Sequence, residues 1–504
     1  MTHFPILSLL IWLPILAAIV VLIIGDDAHA NKIRILTLIT TLVSLILCGV
    51  LWAQFALDTY QFQFVENLPW IAAYHINYAL GIDGISLPMV VLTVITTLTV
   101  ILASWHVVEK HVAQYLATFL LMQGMVIGVF CATDSILFYM FWEAMLIPIY
   151  INIGIWGGER RVYASLKFFI YTFAGSVMML VAILYLRVHS GSFEIPDFYT
   201  LRLTKEEQDL IFIAFLLAFS VKVPMWPVHT WLPDAHTEAP AGGSVVLAAL
   251  MLKLGIYGFM RFSLPITPDA SHALSWLMIA LALVAIVYIG LVAIVQTDMK
   301  RLIAYSSIAH MGFAVLGTFM IYLIMRDSAN THYAQMSLEG AMVQMVSHAF
   351  STGALFIGVG ILYARIHSRL ISDYSGVARV LPVFAVFMMI FSLSNVGMPG
   401  TSGFVGEFFV ILSAFKANFW IAFLAALTLI LGAAYTLWMY KRVFFGKVTS
   451  EAVATLKPIE PAEFMALVIL AFCVIFIGVY PQPLLNVFHA SIGHLLDISL
   501  VSKL

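Results

Sequence analysis

Long apolar runs alternate with short polar connectors along the whole chain. About fourteen of these runs reach the roughly 20 residues that a helix needs to cross a bilayer. Their approximate bounds are 4 to 24, 33 to 55, 85 to 105, 113 to 132, 135 to 156, 163 to 186, 209 to 231, 241 to 262, 273 to 296, 301 to 324, 339 to 363, 382 to 415, 418 to 440 and 462 to 480. Barrel strands would give segments of about 10 residues with polar alternation, so the pattern predicts an all-α polytopic membrane protein. The first run is followed by Ala28-His29-Ala30, which looks like a signal-peptide cleavage site. No Lys or Arg precedes the run and it is too long, so it is read as span 1.

Two runs are interrupted. Span 7 carries Pro224 and Pro227, with Pro233 just beyond, and span 12 contains Asn395-Val396-Gly397-Met398-Pro399-Gly400-Thr401. Proline removes a helix donor and clashes with the preceding turn, so both spans are expected to unwind locally. The breaks lie five spans apart, and a repeat with an odd number of spans inserts its second copy upside down. Spans 4 to 8 and 9 to 13 therefore form a candidate inverted pair, with a transport site expected at the breaks. The chain divides accordingly into a three-helix N-terminal segment (1–112), a first five-helix repeat (113–262), an inverted second repeat (273–442) and a C-terminal helix with its tail (443–504).

Composition sharpens this picture. The chain is 62% hydrophobic and 10% charged, against about 25% charged in soluble domains, and its mean hydropathy is +1.03. Spans and connectors leave no room for a soluble domain. Cys48, Cys131 and Cys473, each within an apolar run, are too few for a four-thiolate cluster and form no zinc or disulfide pattern. A net charge of −2 gives no basic footprint for nucleic acid. Connectors after odd-numbered spans hold fourteen Lys and Arg and the opposite side seven, which puts the odd-span connectors in the cytoplasm and both termini outside.

Ionisable residues within the spans are the candidate chemistry, because a charge at lipid depth must pair, change protonation or face water. Glu143 stands in FYMFWEAMLIPIY, Lys222 just before the span 7 break, Lys253 in the middle of span 8 and Glu407 after the span 12 break. Lys167 opens span 6 on the same face as Tyr171 and either joins this group or snorkels to the surface. His310 shares a face with Ser306, and His348 with Gln344 and Ser351; an imidazole there passes protons near neutral pH or simply bonds helix to helix. Glu143 and Lys222 are candidates either for proton work or for a fixed structural ion pair. His229 and His236, with Asp234 between them, lack metal-ligand spacing on one face and are read as lining the cytoplasmic end of the break. No metal site is expected.

The strings FWEAMLIPIY, AFSVKVPMWPVHTWLPDAHTEAPAGGSVVLAALMLKLGIYG, AIVQTDMKRLIAYSSIAHMGF and NVGMPGTSGFVGEF resemble the antiporter-like, proton-pumping membrane chains of respiratory complex I, nearest to the subunit M or chain 4 branch. The resemblance runs from LGIDGISL at 80–87 to FIGVYPQP at 476–483. It implies that Glu143 and Lys222 form a charge pair between spans 5 and 7, that Lys253 is the central lysine and that Glu407 is the terminal acid facing outside. Lys167, His310 and His348 would line the axis between or near them. A lysine usually stands at the Glu407 position in subunits L and N and in Mrp-type antiporters, and subunit L adds a long lateral helix; this chain ends about 20 residues after span 14.

The resemblance further implies a bacterial inner-membrane subunit of NADH-quinone oxidoreductase, with the L-type and N-type sisters as partners. No dinucleotide fingerprint, flavin site or cluster motif is visible, so FMN, iron–sulfur clusters and quinone are expected in partner subunits. A lysine beside a carboxylate holds its proton better than one beside apolar walls. Moving Glu143 away from Lys222 would release a proton toward Lys253, the histidines and Glu407. A thousand- to ten-thousandfold change in affinity is about 4–5.5 kcal/mol, the scale of moving one charge against roughly 200 mV. The competing readings are a subunit of a sodium/proton antiporter, which needs hard oxygen ligands, a proton-pumping hydrogenase or formate-oxidising complex, and a passive scaffold.

Overall fold

The computed structural model describes residues 4–25 and 27–504. Among these, twelve helices are long and apolar enough to cross a membrane. In chain order the elements used below are α1 (Ile6–Ile24), α2 (Ala30–Gln54), β1 (Gln63–Ile71), β2 (Ile76–Ile82), α3 (Ser86–Ala103), α4 (Val112–Cys131), α5 (Ser135–Trp156) and α6 (Arg161–Ser190). The predicted seventh run is the pair α7 (Lys205–Lys222) and α8 (Trp231–Glu238), followed by α9 (Ala241–Ile266), α10 (Ser275–Ile294), α11 (Met299–Ser328) and α12 (Thr331–Ile366). The predicted twelfth run is α13 (Pro382–Val396) and α14 (Ser402–Ala417), and α15 (Phe419–Phe444), α16 (Pro461–Val479) and α17 (Gln482–Ser499) complete the chain.

Burial sorts these helices into an inner and an outer set. The apolar windows of α9 and α12 are wholly enclosed, whereas those of α2 and α15 are one-third buried. Helices of similar hydropathy thus divide by what they pack against, since lipid satisfies an apolar side chain as well as protein does. The inner pair carries Lys253 and His348, and α11 and α14 pack against it. Both breaks fall where proline and glycine interrupt the runs: α7 stops at Lys222 and the chain resumes as helix at Trp231, and α13 stops at Val396, capped by Gly397 at φ 77°. Within α9, π-helical turns at Leu247–Met251 and Phe259–Ser263 flank Lys253.

The sequence reading contained two omissions. The connector between α2 and α3 folds as an antiparallel hairpin, β1 with β2, whose Glu66 accepts from the backbone N–H of Leu7 at 2.9 Å and so caps the first turn of α1. The tail after α16 forms α17, whose Ser491 hydroxyl accepts from Gly84 N at 2.9 Å. Two of the basic residues counted with the connectors, Arg261 at the edge of span 8 and Lys300 just before span 10, are also buried. Arg261 pairs with Asp83 and donates from Nε to Tyr257 Oη at 3.2 Å. Lys300 donates to the Ala239 carbonyl at 2.6 Å and to Ser244 Oγ at 3.3 Å. On the Lys32 side, Asp27 accepts from the backbone of Val112 and His111 at the start of α4, and these bonds hold its carboxyl below the ordinary range.

Candidate functional site

Lys222 is the last helical residue of α7, where the unpaired carbonyls of the helix end favour a cation. Its ammonium is buried without a hydrogen-bond partner and lies 5.2 Å from the ring centroid of Trp142 and 6.0 Å from that of Phe168. Glu143, adjacent to Trp142 on α5, is partly exposed, lies near Ser176 and Tyr139, and has Lys222 in electrostatic range. Its Oε1 is unpartnered, and among the described residues no ion pair within 4.0 Å joins it to Lys222. The two charges sense each other through space, with an indole between the elements that carry them.

Lys167 contacts the broken helix. Its ammonium meets Asp234 Oδ2 of α8 at 2.7 Å, and one turn along α6 the Tyr171 hydroxyl lies 3.1 Å from Thr230 Oγ1. Neither end of the ion pair is fully buried, and together these contacts tie α6 to the segment that resumes the helix. Below it, Arg369 bridges Asp298 at 3.3 Å and Glu238 at 4.0 Å. His236 is enclosed, stacked 4.6 Å over Phe356, with neither ring nitrogen hydrogen-bonded.

Beyond the break, contacts become direct. Lys253 Nζ donates to the Ala248 carbonyl at 2.6 Å, across the π-helical turn, and lies 2.6 Å from His348 Nδ1. While Lys253 is protonated it can only donate, and His348 then presents a lone pair on Nδ1. The His348 and His310 ring centroids are 5.8 Å apart, and His310 Nδ1 is 3.0 Å from Glu407 Oε1. Glu407 Oε2 rests against Gly397, where any Cβ would collide with the carboxylate; glycine here serves both the positive φ of the cap and the approach of the acid.

Lys253, His348, His310 and Glu407 thus form one enclosed row, Lys222 stands apart from it without a direct bond, and Glu143 and Lys167 lie toward the rim. Sequence reasoning missed Asn395, whose amide donates to Ser306 Oγ at 3.0 Å and Thr436 Oγ1 at 2.9 Å beside the second break. An asparagine immediately before Val-Gly in an apolar run was the available signal. Among the described residues no group of three or more His, Cys, Asp or Glu is arranged to hold a metal ion.

Comparison with known proteins agrees with this architecture. A family model described as "NADH:quinone oxidoreductase/Mrp antiporter, TM" matches residues 132–432, and one described as "NADH-ubiquinone oxidoreductase chain 4, amino terminus" matches residues 9–133. NADH-quinone oxidoreductase subunit M of Rhodobacter capsulatus is 44% identical, over 97% of this chain and 96% of the relative. NADH-ubiquinone oxidoreductase chain 4 of Marchantia polymorpha is 40% identical, over 97% of each chain. A chain of respiratory complex I from Thermus thermophilus with bound NADH superposes with TM-score 0.88 at 30% identity, covering 98% of this chain and all of that one. A chain of the Mrp complex from Dietzia sp. DQ12-45-1b gives TM-score 0.80 at 20% identity, covering 95% of this chain and 52% of that one, a likeness of fold alone.

Proposed function

The chain belongs to the NADH-quinone oxidoreductase subunit M, or chain 4, family, and from that premise we propose that it is a proton-translocating membrane-arm subunit of such an oxidoreductase in the bacterial inner membrane. Its partners are the L-type and N-type sister subunits, and the FMN, iron–sulfur clusters and quinone belong to other chains of the assembly. The observation that carries the proposal is the enclosed row from Lys253 through His348 and His310 to Glu407, four exchangeable groups in sequence at membrane depth. Residues 113–262 and 273–442 act as the inverted pair, each supplying one broken helix to the path.

In this reading Lys222 stores the proton taken from the cytoplasm. The carboxylate of Glu143 stabilises the ammonium, and the rings of Trp142 and Phe168 offer it a weaker alternative. When a neighbouring subunit draws the Glu143 charge away, the ammonium is left among apolar walls and gives up its proton toward Lys253. The row then relays it: Lys253 to His348 across their 2.6 Å contact, His348 to His310, and His310 Nδ1 to Glu407 Oε1, from which it leaves to the outside. The groups titrate as a coupled set.

The test uses the intact complex in proteoliposomes. Lys222→Ala is expected to remove most proton pumping and to slow coupled NADH-quinone turnover, while NADH oxidation by an artificial acceptor stays intact. Pumping at the parental rate would overturn the proposal.

A further inference from the structure

Gln344, one helical turn before His348 on α12, faces the last step of the row. Its Nε2 lies 3.3 Å from His310 Nδ1 and 3.4 Å from Glu407 Oε1, the same two atoms that face each other at 3.0 Å. These Nε2 contacts and close packing position the amide, whose Oε1 is buried without a hydrogen-bond partner. A Cβ at Gly406 would lie 2.7 Å from Gln344 N and 2.9 Å from its Oε1, so this glycine lets α14 close onto the glutamine. The opposite amide orientation would turn a carbonyl oxygen toward the Glu407 carboxylate, which electrostatics disfavours.

We propose that Gln344 is a positioning residue that stabilises the proton-empty state of the His310–Glu407 pair and thereby favours release to the outside. With no proton between them, the imidazole lone pair and the carboxylate oxygen repel each other across 3.0 Å. An amide N–H pointing between the two acceptors, which lie nearer to each other than either does to Nε2, relieves this by donating to both. When a proton occupies the Nδ1–Oε1 contact, Nδ1 is committed to it and the bond from Gln344 to His310 is lost. The amide therefore gains one bond each time the pair empties, which counters the mutual attraction of an imidazolium and a carboxylate.

Among the described residues the surroundings supply no rival for this role. The titratable groups facing the pair are His348 of α12, Lys253 of α9 and His236 of α8 behind it, and Tyr435 of α15, whose hydroxyl accepts from Ser306 at 3.3 Å. Toward α11, α10 presents Ala282, Ala285 and Ile286 around Gly312. Helix α13 carries no ionisable side chain, and Glu463 of α16 is taken by Arg365 at 2.7 Å. Gln344 is the neutral group bonded to both members.

This inference rests on the proposed relay and is tested in the same intact complex. Gln344→Met keeps the length and removes both donors. Coupled turnover is expected to fall at neutral pH and recover as the pH rises, moving the pH optimum toward alkali by roughly 0.7 to 1 unit, the equivalent of one buried neutral hydrogen bond. Gln344→Glu, which points a second carboxylate at Glu407, is expected to move it further the same way and provides the test if the methionine variant fails to assemble. In a His310→Ala background Gln344 keeps only its bond to Glu407, so Gln344→Met should add less than its full effect to the pH dependence. A parental profile, an acid shift, or a full additional effect without His310 would overturn the inference. Because Lys222→Ala tests the relay separately, a parental profile in the Gln344 variants would sink this inference alone.

Discussion

The two halves of the buried axis hold their charges differently. Before the first break, Lys222 has no hydrogen-bond partner and acts on Glu143 through space, with aromatic rings around it. After it, each group touches or nearly touches the next, from the 2.6 Å contact of Lys253 with His348 to the 3.0 Å contact of His310 with Glu407. An unbonded charge pair in low dielectric changes energy with separation, and the proposed relay uses this by displacing Glu143 from Lys222. In the second half Lys253–His348 and His310–Glu407 are in direct contact, whereas the His348 and His310 rings lie 5.8 Å apart between centroids, each with its Nε2 unpartnered. In the proposed relay the first half is the one switched and the second the one that conducts.

That contrast can be broken at its strongest point. Lys253→Met removes the ammonium at the head of the row and frees both the Ala248 carbonyl and His348 Nδ1; pumping is expected to fall more than about tenfold, the usual cost of losing a positioned proton donor. Proton uptake in vesicles against turnover measures it, and near-parental pumping would show that the row does not pass through Lys253. Glu407→Lys should be milder, a loss of about two- to fivefold, because a cation accepts and releases protons too, although beside His310 it meets a like charge. A wholly inactive variant would mean that the carboxylate itself is required.

Lys167→Ala should cost less again, under about threefold in coupled turnover, since its partly exposed pair with Asp234 anchors α8 rather than joining the row. A loss as large as that of Lys253→Met would instead place Lys167 on the path. The smallest effect is expected far from both halves, at Asp27. Its carboxyl is held below the ordinary range by the Val112 and His111 N–H groups, so its contribution is present above about pH 4, the unfolded value, and lost as the pH falls through the lower folded value. Because Asp27 is nearly fully solvated, Asp27→Asn should lower thermal stability at pH 7 by less than about 1 kcal/mol, and the difference should vanish in strong acid. A difference that persists below the folded value would assign the effect to packing.

Legibility in the sequence followed burial chemistry. The helical spans were readable because lipid requires long uninterrupted runs, and the breaks were readable because proline and glycine cannot continue them. The hairpin β1–β2 was not, because its residues alternate weakly and its contacts with α1 are remote in sequence. Lys300 and Arg261 were counted with the connector charges because each lies at the edge of an apolar run; only packing reveals that one lies against the end of α8 and the other against Asp83. Gln344 was visible only as a residue sharing the face of His348, since its two bonds reach other helices.

What the chain determined on its own is which groups must be explained: ionisable side chains in runs too apolar to leave them unattended, a cost of local solvation that needs no knowledge of neighbours. What the tertiary structure decided is which of them meet. That depends on helix rotation and on where glycines such as Gly397 and Gly406 let backbones approach, and at hydrogen-bond range an ångström separates a relay from an isolated charge.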